Sequence, residues 1–291
     1  MTLPSAVLTH THMRAPKGIV YGPPGIGKTT FGAGADKPLI VDCENGSAHV
    51  ACDRTPYLST WPAIRSWLDG LAAGGHGYGT VVVDSVDWLL RRLEEHVSGV
   101  DGDERKMSQT MNRSHGGYGN GKQELKNYVY QYLLPTLDRI VNNGVAVVLL
   151  AHATRHDVTS IDGVTVEKSA PEIHADLVQT MIEWSDFVAA ARFSPVTGLR
   201  EMILTESGQH LAKNRYGITL PLSLNWNALQ NEIVRAQMPA TSAPVTSSPV
   251  AQTPVSTAAS QNVTTVAADS NVNFTNTINP NPQTEGVNPN A

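Results

Sequence analysis

An α/β domain built on a mainly parallel sheet is predicted by three features of this 291-residue sequence. First, the apolar runs GIVY (18–21), TVVVD (80–84) and VAVVLLA (145–151) lack polar alternation and are separated by stretches with helical periodicity. Strands buried on both faces read this way, because crossover helices cover both sides of a parallel sheet. Second, a glycine-rich turn, GPPGIGKT (22–29), joins the first run to a helix-forming segment. Third, from about Gln237 the composition shifts to Pro, Thr, Ser, Asn, Gln, Ala and Val, which leaves the length of one domain ahead of it.

Taken in order, residues 1–16 are a polar lead-in read as flexible, and 17–236 form the domain. Lys17–Tyr21 is a strand, and Thr29–Ala35 begins a helix that ends at Lys37-Pro38. Leu39–Cys43 is a buried strand, Pro62–Leu71 a helix, Thr80–Asp84 a strand and Val86–Val97 an amphipathic helix. A polar, glycine-containing loop covers 99–121, followed by a long helix over Lys122–Asn142 and a strand over Val145–Ala151. DVTSIDGVTVEK (157–168) alternates around Asp162-Gly163 as a β-hairpin does. Ile173–Trp184 reads as helix, Asp186–Phe193 and Arg200–Glu206 as paired antiparallel strands, and Gln209–Ala212 as a last strand. Residues 237–291 have no Lys or Arg and only Asp269 and Glu285 as acids; with little apolar bulk to offset ordering entropy, they read as a disordered tail.

Net charge is −5, and −3 without the tail's two acids, so bulk charge does not advertise nucleic acid. Cys43 and Cys52 are the only cysteines, which suggests a reducing compartment, the cytoplasm, over a disulfide framework. No apolar run is long enough to span a bilayer, no signal peptide opens the chain, and no repeat is visible. His10 and His12 lack the companions of a metal site. Trp61, Trp67, Trp88 and Trp184 fall in or beside apolar segments and are read as core.

The chemistry concentrates in 22–29, a full match to G-x-x-x-x-G-K-[ST] between a strand and a helix. Gly22, Pro23, Pro24, Gly25, Ile26 and Gly27 form a turn whose glycines let backbone N–H groups face phosphate oxygens. Lys28 is expected at the β/γ-phosphates of ATP and the Thr29 hydroxyl on Mg²⁺, with Thr30 completing the cradle. Asp84 ends a buried strand, the pattern of the carboxylate that supports the Mg²⁺ shell; the bland alternative is a helix cap. A water-activating carboxylate is harder to place. Ser85 follows Asp84, Asp87 stands in the next helical turn, and Glu44 ends the strand in LIVDCEN beside Asp42.

The loop GPPGIGKTT resembles those of AAA+ ATPases, in which a glutamate directly follows the strand-end aspartate; here Ser85 takes that place. The order of the later motifs is similar to the RecA superfamily, whose glutamate at the earlier strand end polarises the attacking water. That resemblance implies this role for Glu44. It also implies a γ-phosphate-sensing role for His152 in LLAHAT, where glutamine is common, and a Lys-x-Arg pair, Lys213 and Arg215 in LAKNRYG, reaching a neighbouring subunit's γ-phosphate. More narrowly, YGPPGIGKTTFGAGADKPLIVDCENG, VVVDSVDWL, GYGNGK, VVLLAHA, EWSDFVAAAR and AKNRYG resemble phage-encoded RecA-like ATPases of the single-strand annealing recombinase type.

This resemblance implies an ATPase of DNA recombination or repair that binds single-stranded DNA, assembles into a homo-oligomeric ring or filament, and acts in the cytoplasm of a bacterial host. A single-strand binding protein is a further partner it allows; no membrane is involved. DNA would lie on two loops. In the first, Arg105, Lys106, Arg113 and Lys122 accompany His115 and Tyr118 without an acid from 105 to 122; in the second, Thr154–Pro171, Arg155 and Lys168 are balanced by Asp157, Asp162 and Glu167. Three other readings stand beside it: a DnaB-like helicase core, expected to carry a loading domain ahead of the first strand; a small-molecule P-loop kinase, expected to carry an arginine-rich lid; and a nucleotide-dependent interaction protein.

Overall fold

The structure, a computed structural model, describes residues 14–100, 111, 114–116, 118–159 and 162–238. Outside these lie His10, His12 and the rest of the lead-in to residue 13, the loop residues Arg105, Lys106 and Arg113, and the tail from 239.

Five parallel pairings carry the sheet. The strands β1 (Lys17–Gly22), β2 (Pro38–Asp42), β3 (Asp53–Arg54), β4 (Thr80–Asp84), β5 (Ala146–Thr159) and β7 (Phe187–Phe193) lie in the spatial order β7-β1-β5-β4-β2-β3. Antiparallel strands extend it as expected: β8 (Arg200–Ile203) and β10 (Leu222–Ser223) continue beyond β7, β9 (Lys213–Asn214) pairs with the start of β7, and β6 (Thr165–Pro171) folds back on β5.

Alternate residues of the central strands enter two cores. Ile19, Tyr21, Val81, Val83, Val147 and Leu149 pack under α2 (Trp61–Ala73), α3 (Val86–Val97), α4 (Asn120–Tyr128), α5 (Leu134–Asn142) and α6 (Ala175–Trp184). Val20, Val82, Val148 and Leu150 face α1 (Lys28–Ala33) and α7 (Trp226–Gln237) on the other side. Burial on both faces accounts for the unbroken apolar runs. Tyr21 is tolerated there because its hydroxyl donates to the Ser169 and Leu211 carbonyls at 2.9 and 2.7 Å.

Several elements differ from expectation. The long helix starts at Asn120 and passes through a wide π turn, Val129–Leu133, just before Pro135. Proline lacks the N–H and crowds the preceding turn, and the wide turn accommodates both defects. Strand β5 does not stop at Ala151 but runs on to Thr159, leaving the main sheet to pair with β6. Of Gln209–Ala212 only His210 makes a bridge, to Ser169, and the strand falls at Lys213–Asn214 instead. Helix α7 was not anticipated; Asn225 caps it, accepting from the Ala228 N–H at 2.8 Å. Trp61 is core, whereas Trp67 is 40% exposed on the outer face of α2. Arg14, in the segment read as flexible, donates twice to Asp186 at 2.8 Å, so the packed unit includes the end of the lead-in.

Helix α1 lies close on the sheet because Gly32 has no side chain: a Cβ there would come within 2.6 Å of Val82 Cγ1. Gly32→Val is expected to destabilise the protein by about 1–3 kcal/mol in chemical denaturation, with Val82→Ala in the same chain restoring part of the loss.

Candidate functional site

The parallel register carries the ends of β1, β2 and β4 to one edge, beside the middle of β5. Gly22 pairs with His152, Asp42 pairs with Asp84, and Asp84 pairs with Leu150. The turn from Gly22 to Thr29 rises from this edge, with Gly25 and Gly27 at φ +75° and +104°, a region that disfavours side chains. It borders a cavity of about 370 Å³ together with Lys28, Thr29, Thr30, Glu44, Asp84, His152 and Arg200.

Lys28 donates to the Gly22 and Pro23 carbonyls at 2.9 and 3.2 Å, folded onto its own loop. Burial lowers its pKa, against the pull of Asp84, Glu44 and Asp87. The Thr29 hydroxyl donates to Asp84 Oδ2 at 2.8 Å, joining the two groups expected at Mg²⁺ although 55 residues separate them. Burial pushes the Asp84 carboxyl up to about 6; the Thr29 bond opposes the shift, and Glu44 and Asp42 add to it. A hydroxyl and a desolvated carboxylate, oxygen donors with uncompensated negative charge, fit a hard divalent cation. Thr29 and Asp84 would hold such an ion, Mg²⁺, which would supply charge neutralisation for phosphate oxygens.

Glu44 sits on a turn organised by Asp42. Asp42 accepts from the backbone N–H groups of Glu44, Asn45 and Ser47 at 3.2, 2.6 and 3.3 Å and from the Ser47 hydroxyl at 2.5 Å. This network aims Glu44 into the cavity, where the Ser85 hydroxyl donates to its Oε2 at 3.2 Å and His152 Nε2 lies 3.5 Å from its Oε1. His152 is the last residue of β5 aligned with β1, but β5 continues past it, so it is not at a strand end.

Asp87, in the first turn of α3, accepts the His152 backbone N–H at 3.2 Å and lies 2.9 Å from Nδ1. With Nδ1 protonated, the ring donates to Asp87 Oδ2 and turns Nε2 toward Glu44. Asp87, His152 and Glu172 carry ligand-type atoms within 4.8 Å of one another. Both Asp87 oxygens are occupied by His152, however, and Glu172 joins them only through its backbone N–H, which donates to the His152 carbonyl at 2.8 Å.

The family model described as an AAA domain matches residues 14–216, more than two-thirds of the chain and every residue that lines the cavity. The chain belongs to the AAA domain family. It therefore carries a P-loop ATPase domain, in which the loop, Asp84 and Glu44 border one cavity. No curated protein matches the chain. Among solved structures it is similar to a KaiC-like protein from the hyperthermophilic archaeon Pyrococcus horikoshii OT3, with 12% identity, a TM-score of 0.37, and coverage of 72% of this chain and 84% of that one.

The remaining expected residues of this AAA domain lie elsewhere. Lys213 donates to the Ile182 and Glu183 carbonyls at 2.7 and 2.8 Å, and Arg215 donates to Glu183 O at 3.2 Å and Asp186 Oδ1 at 3.0 Å. They point the same way, as an x-spaced pair should, toward the C-terminus of α6 and the strand end opposite the loop, where Asp186 bonds the start of β1. Tyr118 is fully exposed just before α4, and Lys122 has no ion-pair partner among the described residues. His115 lies 2.8 Å from the Val97 carbonyl, so it anchors its segment. Arg155 pairs with Glu167 at 2.6 Å and Lys168 with Glu206 at 2.8 Å.

Sequence reasoning assigned no role in the site to Ser85, Asp87 or Arg200. The spacing of Asp42, Asn45 and Ser47 is a local turn signal that could have been read. Arg200 offers none, being 173 residues from Gly27.

The Asp84 shift fixes a pH dependence. Its folded pKa of about 6 exceeds the ordinary value of about 3.9, so the native state retains the proton longer. The stability it contributes is complete below the ordinary value and is lost as pH rises through about 6. Thermal melts of the unliganded protein without Mg²⁺ should show that loss between pH 4 and 7, and Asp84→Asn should flatten it.

Proposed function

We propose that this protein is an ATP-hydrolysing, single-stranded-DNA-binding recombinase of a phage, acting as a homo-oligomer. The observation that carries the hydrolytic half is Glu44, held over the phosphate-loop cavity by the Asp42 turn, Ser85 and His152. On nucleotide binding, Lys28 exchanges its loop carbonyls for the β- and γ-phosphates, a stronger charge-assisted contact. Glu44 orients the attacking water and accepts its proton, while Asp87 holds His152 in place beside Glu44.

The DNA half rests on the resemblance of the motif order. An exposed Tyr118 and, four residues on, a Lys122 with no ion-pair partner among the described residues support it, since such groups stack on bases and neutralise phosphate. Arg155 and Lys168, already paired with acids, are weaker contributors. For oligomerisation, Lys213 and Arg215 lie too far from their own phosphate loop to serve it and are assigned to a neighbour's nucleotide. Reaching it requires them to leave the α6 carbonyls and Asp186.

Glu44→Gln should retain ATP binding and lose about 10²-fold or more in turnover, measured as phosphate release. Single-stranded DNA should raise the wild-type rate. Tyr118→Ala with Lys122→Ala should weaken DNA binding by about 1–3 kcal/mol for the lost stack and reduce its salt slope by about 0.7. An ATPase indifferent to DNA would favour the nucleotide-dependent interaction protein, and strand displacement would favour the helicase core. Arg215→Ala mixed with Glu44→Gln should recover activity that neither has alone; failure in co-assembled mixtures removes the trans role.

A further inference from the structure

We infer that Arg200 is a second cation for the nucleotide polyphosphate, supplied in cis from β8, two strands away from β1. The inference rests on the nucleotide-binding reading of Gly22–Thr29 and deepens it. Arg200 opens β8, and its backbone is fixed on both sides: it is in register with Phe193 of β7, and its carbonyl accepts the Leu224 N–H at 3.2 Å. The hairpin that presents it is closed by Ser194 N–H to Leu199 O at 2.7 Å and Gly198 N–H to Ser194 O at 2.9 Å. The next residue, Glu201, points to the other face and is neutralised by Arg192 at 2.9 Å, so it does not compete for Arg200.

The guanidinium lies against the phosphate loop. A Cβ built on Gly27 would be 3.3 Å from Arg200 Nη1, and the φ of +104° there keeps that position bare. Arg200 lines the same cavity as Lys28, Thr29 and Thr30. Among the described residues its guanidinium has no hydrogen bond or ion pair, whereas Arg14, Arg92, Arg192 and Arg215 are all paired with acids. Two cations on one bare glycine loop, one folded onto carbonyls and one unpaired, suit a polyanion. A planar guanidinium fits phosphate with paired donors, and its fixed backbone limits the entropy lost on contact.

The test is calorimetric binding of ATP, ADP and AMP to the full-length wild type, Arg200→Ala, Arg200→Lys and Lys28→Ala. Arg200→Ala should weaken ATP and ADP binding about 10- to 100-fold, more than AMP, and Arg200→Lys should recover part of the loss. The melting temperature of the unliganded protein should not change, because the side chain is exposed and has no partner among the described residues. Wild-type ATP affinity in Arg200→Ala, with Lys28→Ala weakened, overturns the inference and leaves the nucleotide site standing. A fall in unliganded stability that accounts for the lost affinity also overturns it. Absence of ATP binding in the wild type overturns both readings.

Discussion

The parallel register of β1, β4 and β5 is the constraint on which the site depends. These strands are buried on both faces, with alternate side chains committed to separate cores. A slip of one residue would exchange those cores and shift a strand end by about 3.3 Å. The 2.8 Å bond between Thr29 and Asp84 would not survive such a shift. The site thus inherits its precision from apolar packing well below it. The close approach of α1 at Gly32 carries the same positioning to the loop.

Around this frame the charges are unevenly satisfied. Asp42 is saturated by the turn that carries Glu44 and acts as a structural anchor. Asp84, almost as buried, accepts from Thr29, and desolvation holds its proton more tightly. Lys28 is shifted downward by the same burial. Buried groups of both signs left short of partners mark a place where a further charged group completes the set. His152, hydrogen-bonded to Asp87 and 3.5 Å from Glu44, borders this cavity and also a groove of about 670 Å³ along α3 and the β5–β6 hairpin.

The opposite end of the sheet is built differently. Asp186 gathers Arg14 and Arg215, and Lys213 and Arg215 bond the last carbonyls of α6, where cations also complement the helix dipole. These cations therefore have a structural role within the chain. Any contact with a neighbouring subunit trades against it.

The strand runs, the phosphate loop and the antiparallel end of the sheet were legible in the sequence, because each is written in local periodicity or in contiguous residues. Thr80–Asp84 and Val86–Val97 fall where their patterns end. Asp84 could be named from its strand-end position, whereas Glu44 was singled out only through the resemblance to the RecA superfamily. Tertiary structure decided what spacing does not encode: that His152 lies between Glu44 and Asp87, that Arg200 reaches Gly27, and that Lys213 and Arg215 bond α6. It also decided that β5 outruns its apolar segment, because β6 supplies backbone partners that a polar stretch cannot find by itself. Contacts between strands distant in sequence depend on register and crossover, which arise only when both faces of the sheet are packed.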